Sequence, residues 1–93
     1  MTEPAIYEVR FTRSALRALT DGLPEKVAAA AFEFIHTTLA GNPRRLGTQL
    51  DPPLFPLYSA RRGDYRVLYS IIDAVLVIEI VSIVHRRDAY RSP

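Results

Sequence analysis

The stretch Val75-Leu76-Val77-Ile78-Glu79-Ile80-Val81-Ser82-Ile83-Val84 constrains this chain more than any other. It is dense in β-branched residues and apolar on nearly both faces, which is the pattern of an interior strand with helices over one side. Its length and Glu79 exclude a membrane span. An interior strand needs partners, and Leu57 to Arg61 and Tyr65 to Ile72 have the same composition. With Gly63-Asp64 and Asp73-Ala74 as turns, the three segments predict consecutive antiparallel strands.

The N-terminal half supplies the cover. Ile6 to Phe11 alternates apolar and polar side chains as a half-buried strand does, and Thr12 is placed as a helix N-cap. A short helix over Ser14 to Leu19 closes near Asp21-Gly22. Pro24 and Glu25 open a longer helix, in which Val27, Ala31, Phe34, Ile35, Thr38 and Leu39 form the apolar face and Lys26, Glu33 and His36 point away. Gly41-Asn42-Pro43 stops it, and Arg44 to Pro56, with prolines at 52, 53 and 56, reads as a connector without strand or helix. The expected fold is α+β in the order β-α-α-β-β-β, a small antiparallel sheet with two N-terminal helices packed on one side. At 93 residues, 48% of them hydrophobic, the whole of 1–93 fits one domain.

Without cysteine, disulfides and thiolate metal sites are excluded, and two histidines far apart in sequence give no ligand spacing. Met1-Thr2-Glu3-Pro4 lacks the features of a secretory signal, so a soluble cytoplasmic protein with no membrane association is expected. Lys26 is the only lysine. Beyond Pro43 the chain carries Arg44, Arg45, Arg61, Arg62, Arg66, Arg86, Arg87 and Arg91 against Asp51, Asp64, Asp73, Glu79 and Asp88. A basic, arginine-based half suits a polyanionic partner, because the guanidinium fork can grip a phosphate in a bidentate manner.

Turn positions predict how these arginines meet. A two-residue loop at Gly63-Asp64 sets Arg61 beside Arg66. A two-residue loop at Asp73-Ala74 sets Ile72 opposite Val75 and brings Arg61 and Arg62 alongside Arg86 and His85. Like charges side by side destabilise a sheet, and a bound phosphate relieves them. Alternatively, Asp64 and Asp88 pair with neighbouring arginines, Arg66 pairs with Glu79 or Asp64, and the rest are solvated. His85 has the side chain suited to proton transfer near neutral pH, and Tyr90 can donate a proton or stack on a base.

The helix exit Asn42-Pro43-Arg44-Arg45-Leu46, the hairpin Arg62-Gly63-Asp64-Tyr65-Arg66-Val67-Leu68-Tyr69 and the ending Ile83-Val84-His85-Arg86-Arg87-Asp88-Ala89-Tyr90-Arg91 resemble, in that order, the RelE/ParE superfamily of bacterial toxins. The resemblance covers nearly the whole chain. It implies a RelE-like toxin of a type II toxin-antitoxin pair that enters the ribosomal A site. There it would cut mRNA by attack of a ribose 2′-hydroxyl on the adjacent phosphate, without metal or other cofactor. It places the family's central-strand arginine on Arg66, the arginine ending the last strand on Arg86 and the C-terminal tyrosine on Tyr90. Two lysines of relatives fall on Leu57 and Ser59, and His85 fits a variant pattern in which histidine transfers the proton.

The implied roles are charge stabilisation at the phosphate by Arg66 and Arg86, proton handling by His85 and Tyr90, and grip on the RNA backbone by Arg61, Arg62, Arg45 and Arg87. The implied partner is a RelB-like antitoxin forming a hetero-oligomer. It would carry an amphipathic helix with acidic residues, docking on the helix pair and on Leu54, Phe55 and Leu57. Two other functions fit the same fold: a ParE-like inhibitor of DNA gyrase, and an inactive toxin-fold protein that only binds its antitoxin.

Overall fold

A computed structural model describes residues 6–85. Its elements are β1 (Glu8–Phe11), α1 (Arg13–Arg17), α2 (Glu25–Glu33), α3 (Pro43–Leu46), β2 (Thr48–Gln49), β3 (Tyr58–Arg62), β4 (Tyr65–Ile72) and β5 (Val77–His85). They form the expected α+β architecture, a five-stranded sheet in the order β1-β5-β4-β3-β2 with the helices over one face.

Thr12 caps α1 and also fastens it to the sheet. Its Oγ1 accepts from the Ala15 N–H at 3.2 Å and donates to the Val81 carbonyl at 2.6 Å, while its own N–H reaches the Ile80 carbonyl at 3.0 Å. The helix then widens into a π turn over Ala18–Gly22. Pro24 is the residue before α2 rather than its first, and α2 runs on through a π turn (Phe34–Thr38) and a 3-10 turn (Leu39–Gly41). Its expected face is the one that packs: Ala31, Phe34, Ile35 and Leu39 are buried, and Lys26, Glu33 and His36 are exposed. Opposite them β4 contributes Tyr65, Val67 and Tyr69, β5 contributes Ile78, Ile80 and Ile83, and β3 contributes Ala60.

Three further expectations need correction. The segment after Pro43 is not structureless, because Pro43 opens the single turn of α3 and Thr48-Gln49 pairs with Ser59-Tyr58 as edge strand β2. The breaking prolines all lie beyond that strand. The sheet is mixed, since β1 runs parallel to β5, from Glu8 opposite Val77 to Phe11 opposite Ile80. Finally, the β4–β5 connection takes Asp73 to Leu76 rather than two residues: a 3-10 turn over Asp73–Val75, then Leu76 in the left-handed region at φ 52°. With a bulge at Leu68/Tyr69, this pairs Ile72 with Val77 and Tyr65 with His85.

The bulge and the short α3 are locked by Tyr69. This ring is fully buried, stacks on Tyr58 at 5.7 Å between centroids, and donates its hydroxyl to the Pro43 carbonyl at 2.5 Å. Burial pushes its phenol up to about 12. Gly47 leaves room for that hydroxyl, since a Cβ there would lie 2.0 Å from it. At the turn end of the sheet, Asp73 accepts from Tyr7 Oη at 2.7 Å and from both Arg44 Nη atoms, joining the chain before β1, α3 and the β4–β5 turn. The Arg44 and Tyr7 hydrogen bonds hold the Asp73 carboxyl down at about 2.

Gly47→Ala is expected to cost about 1–3 kcal/mol in urea denaturation through forced displacement of Tyr69. Combined with Tyr69→Phe, it should cost less than the two single changes added, because the missing hydroxyl removes the nearest clash. Asp73 has a depressed folded pKa, so its stabilising contribution is complete above the unfolded value near 4 and is lost as pH falls toward 2. Asp73→Asn should therefore flatten the stability profile within that window and leave its shape above pH 5 unchanged.

Candidate functional site

The hairpin between β3 and β4 carries the charge. Gly63 turns it at φ 59°, in the left-handed region that a side chain disfavours, and nothing lies within 4 Å of where a Cβ would sit. The expected register holds: Arg61 is directly opposite Arg66, and Arg62 opposite Tyr65. Cross-strand partners on one face have Cβ atoms about 4.5–5.5 Å apart, so the two guanidinium stems rise side by side.

Alternation along β4 decides which face they occupy. Tyr65 and Val67 are buried toward the helices, and Phe34 meets the Tyr65 ring edge-on at 6.4 Å. Arg66 and Leu68 must then occupy the other face, with Val84 of β5 opposite Arg66 and Ser82 opposite Leu68. Arg61 and Arg66 are exposed. Among the described residues the ion pairs are Arg10–Glu8 and Arg44–Asp73, and neither Arg61 nor Arg66 joins one. The expected pairing of Arg66 with Glu79 does not form; Glu79 lies opposite Ser70, nearer the far end of the strand.

A groove of about 430 Å³ opens over this face. Arg61, Asp64, Arg66 and His85 line it together with Leu50, Leu54, Leu68 and Val84, and at the hairpin tip it also reaches Gly63 and Tyr65. The structure thus brings together Arg61 and Arg66; His85 also lines the groove, but it stands opposite Tyr65 in the ladder and so springs from the helix-side face. The fold separates Arg62, which follows Arg61 and so faces the opposite side. There its Cζ sits 5.0 Å over the Phe34 ring, beside a second cavity of about 410 Å³ lined by Glu33, Thr37 and Thr38. Burial raises the Tyr65 phenol above its ordinary value, an effect opposed by the Arg62 cation.

The expected direct pairing of Arg62 with His85 does not form, because β4 lies between β3 and β5; the two instead flank Tyr65 in one row. Arg45 is on α3, whose neighbour Arg44 is tied to the far turn at Asp73, and it does not line the groove. Arg86, Arg87 and Tyr90 lie outside the described residues. Ser59 shares the Arg61 face one row farther from the tip, opposite Leu68, and Leu57 just precedes β3, so the cation of the groove comes from Arg61 and Arg66.

Leu54 was expected at an exposed docking surface, but its place beside the hairpin arginines, and Leu50 with it, was not. Leu50 and Leu54 belong to loop 50–57, closed by Leu50 N–H donating to the Leu57 carbonyl at 2.8 Å and tightened by Leu54 N–H to Asp51 at 3.0 Å. Leu54 and Phe55 are half exposed or more, while Leu57 is partly buried. Among the described residues, no three His, Cys, Asp or Glu side chains form a group able to hold a metal ion, and no helix is long and apolar enough to cross a membrane.

The family described as ParE toxin of the type II toxin-antitoxin system parDE matches residues 9–90. The chain is 47% identical to Toxin RelE of Mycobacterium tuberculosis over 98% of its own length and 93% of that protein's. It is 44% identical to Toxin RelG of the same organism, over 91% and 97% of the two lengths. A chain of the crystal structure of the RelBE2 toxin-antitoxin complex of M. tuberculosis superposes with a TM-score of 0.84 at 41% identity, covering 88% of this chain and 100% of that one. A basic hairpin on this sheet order, matched in sequence and in fold along nearly its whole length, makes the chain a member of the RelE/ParE superfamily, a toxin of the type II toxin-antitoxin class.

Proposed function

We propose that this toxin is an endoribonuclease that cuts mRNA on the ribosome, and that an antitoxin of the RelB type holds it inactive. The observation that carries the reading is the Arg61–Arg66 pair, two adjacent cations on one face with no carboxylate partner among the described residues. Such a pair is repulsive alone and favourable once a phosphodiester lies across it.

In the reaction, the ribose 2′-oxygen bonds to the neighbouring phosphorus and the bond to the 5′-oxygen breaks, leaving a 2′,3′-cyclic phosphate and a 5′-hydroxyl. The 2′-hydroxyl proton leaves to a base and another proton reaches the departing 5′-oxygen. Arg66 and Arg61 stabilise the charge that grows on the phosphate oxygens. His85, which lines the same groove from the end of β5, is the proton carrier in this reading. Arg86 and Tyr90, which follow it in the chain, are the further groups that the family resemblance enlists. In this reading the substrate strand is oriented by the ribosome.

The antitoxin is supported by relatives solved as toxin-antitoxin complexes, such as RelBE2. A gyrase-directed role is the second reading. It is favoured by the ParE description of the matching family and by Leu57 and Ser59 standing where nuclease relatives carry lysine.

Added to translating ribosomes, the protein should yield mRNA fragments with 5′-hydroxyl ends. Arg66→Ala should lower that rate about 100-fold, while chemical denaturation shows stability unchanged or up by roughly 0.2–1 kcal/mol as the repulsion with Arg61 is lost. Cleavage at the parent's rate, or arrest of gyrase supercoiling with no cleavage, would overturn the proposal.

A further inference from the structure

We infer that loop 50–57 provides a nucleobase seat: Leu54, backed by Leu50, receives the base of the nucleotide whose phosphate lies on Arg61 and Arg66. The inference rests on the RNA reading above and adds which part of the nucleotide the loop contacts. It starts from the make-up of the groove, cationic along the hairpin and apolar along the loop and floor. A phosphate alone needs no leucine wall, and an apolar ligand needs no arginine pair. A nucleotide unit carries both demands at once.

Size supports the same occupant. The groove encloses about 430 Å³, toward the low end of the roughly 300–1,000 Å³ of small-ligand sites. Leu54 is 50% exposed, so its side chain has surface left to cover. Its backbone is nonetheless fixed, because its N–H donates to Asp51 and its carbonyl accepts from Leu57 at 2.9 Å. A preformed wall of this kind contacts a base without ordering a mobile loop first. Apolar contact with a base face is tolerant of sequence, since each base presents a flat surface.

The test uses the whole protein and two probes, pentauridylate and an abasic oligomer with the same number of phosphates, each titrated by NMR or fluorescence anisotropy. Leu54→Ser should weaken pentauridylate roughly fivefold, the worth of part of one leucine side chain, and leave the abasic oligomer unchanged. Leu54→Phe, which enlarges the wall, should tighten pentauridylate alone. Arg66→Ala should weaken both probes. Equal effects of Leu54→Ser on the two probes, or none on either, overturn the seat while leaving the phosphate reading in place. No effect of Arg66→Ala on either probe overturns the phosphate reading itself, and the seat with it. If Leu54→Ser weakens the antitoxin complex and neither oligomer, the wall is a protein-docking surface and the inference falls.

Discussion

Strand β5 is hydrogen-bonded along both edges, to β1 in parallel and to β4 in antiparallel sense, and the positions of the site follow from that double registration. The parallel partner brings Thr12 to Ile80 and Val81, which fixes where α1 begins and hence which face the helices cover. The antiparallel partner fixes which β4 side chains meet that cover. Side chains alternate with a period of two, so burying Tyr65, Val67 and Tyr69 leaves Arg66 and Leu68 on the other face. A slip by one residue would drive Arg66 into the core, where an unpaired charge costs several kcal/mol. Core and cationic face are therefore one specification, written once along β4.

Much of this was legible in the sequence because it depends on local chemistry. Thr12 is a capping residue, the α2 face repeats at helical spacing, and Gly63-Asp64 permits a tight turn, which is enough to place Arg61 beside Arg66. What escaped depends on choices the chain makes non-locally. The β4–β5 turn, tied at Asp73 to Tyr7 and Arg44, and the bulge at Leu68/Tyr69, where Tyr69 is buried against α3, both depend on residues far away in sequence, and together they displace the register that a two-residue loop predicts. Arg62 was grouped with Arg61 and Arg66 through the assumed turn register, whereas alternation and the Phe34 ring take it to the opposite face. The part of Leu50 and Leu54 in the groove could not be read from a proline-rich segment, since prolines exclude regular structure without saying where the loop folds back.

The two ends of β4 show opposite treatment of the same side chain. At the turn end, Arg44 is engaged by both oxygens of Asp73, which Tyr7 also supports, and that carboxyl is held well below its usual range. At the hairpin end, Arg61 and Arg66 face each other across a ladder with no ion pair among the described residues. A fold under selection for stability alone would gain by placing a carboxylate at one of these positions. Keeping two cations there means that a polyanion arriving at the groove removes a repulsion as well as forming contacts, so binding is favoured beyond the hydrogen bonds it makes. The same argument applies to any partner that silences the toxin: to compete at this groove it must bring negative charge to the hairpin, and apolar contact with the leucine wall alone would leave the arginines unrelieved.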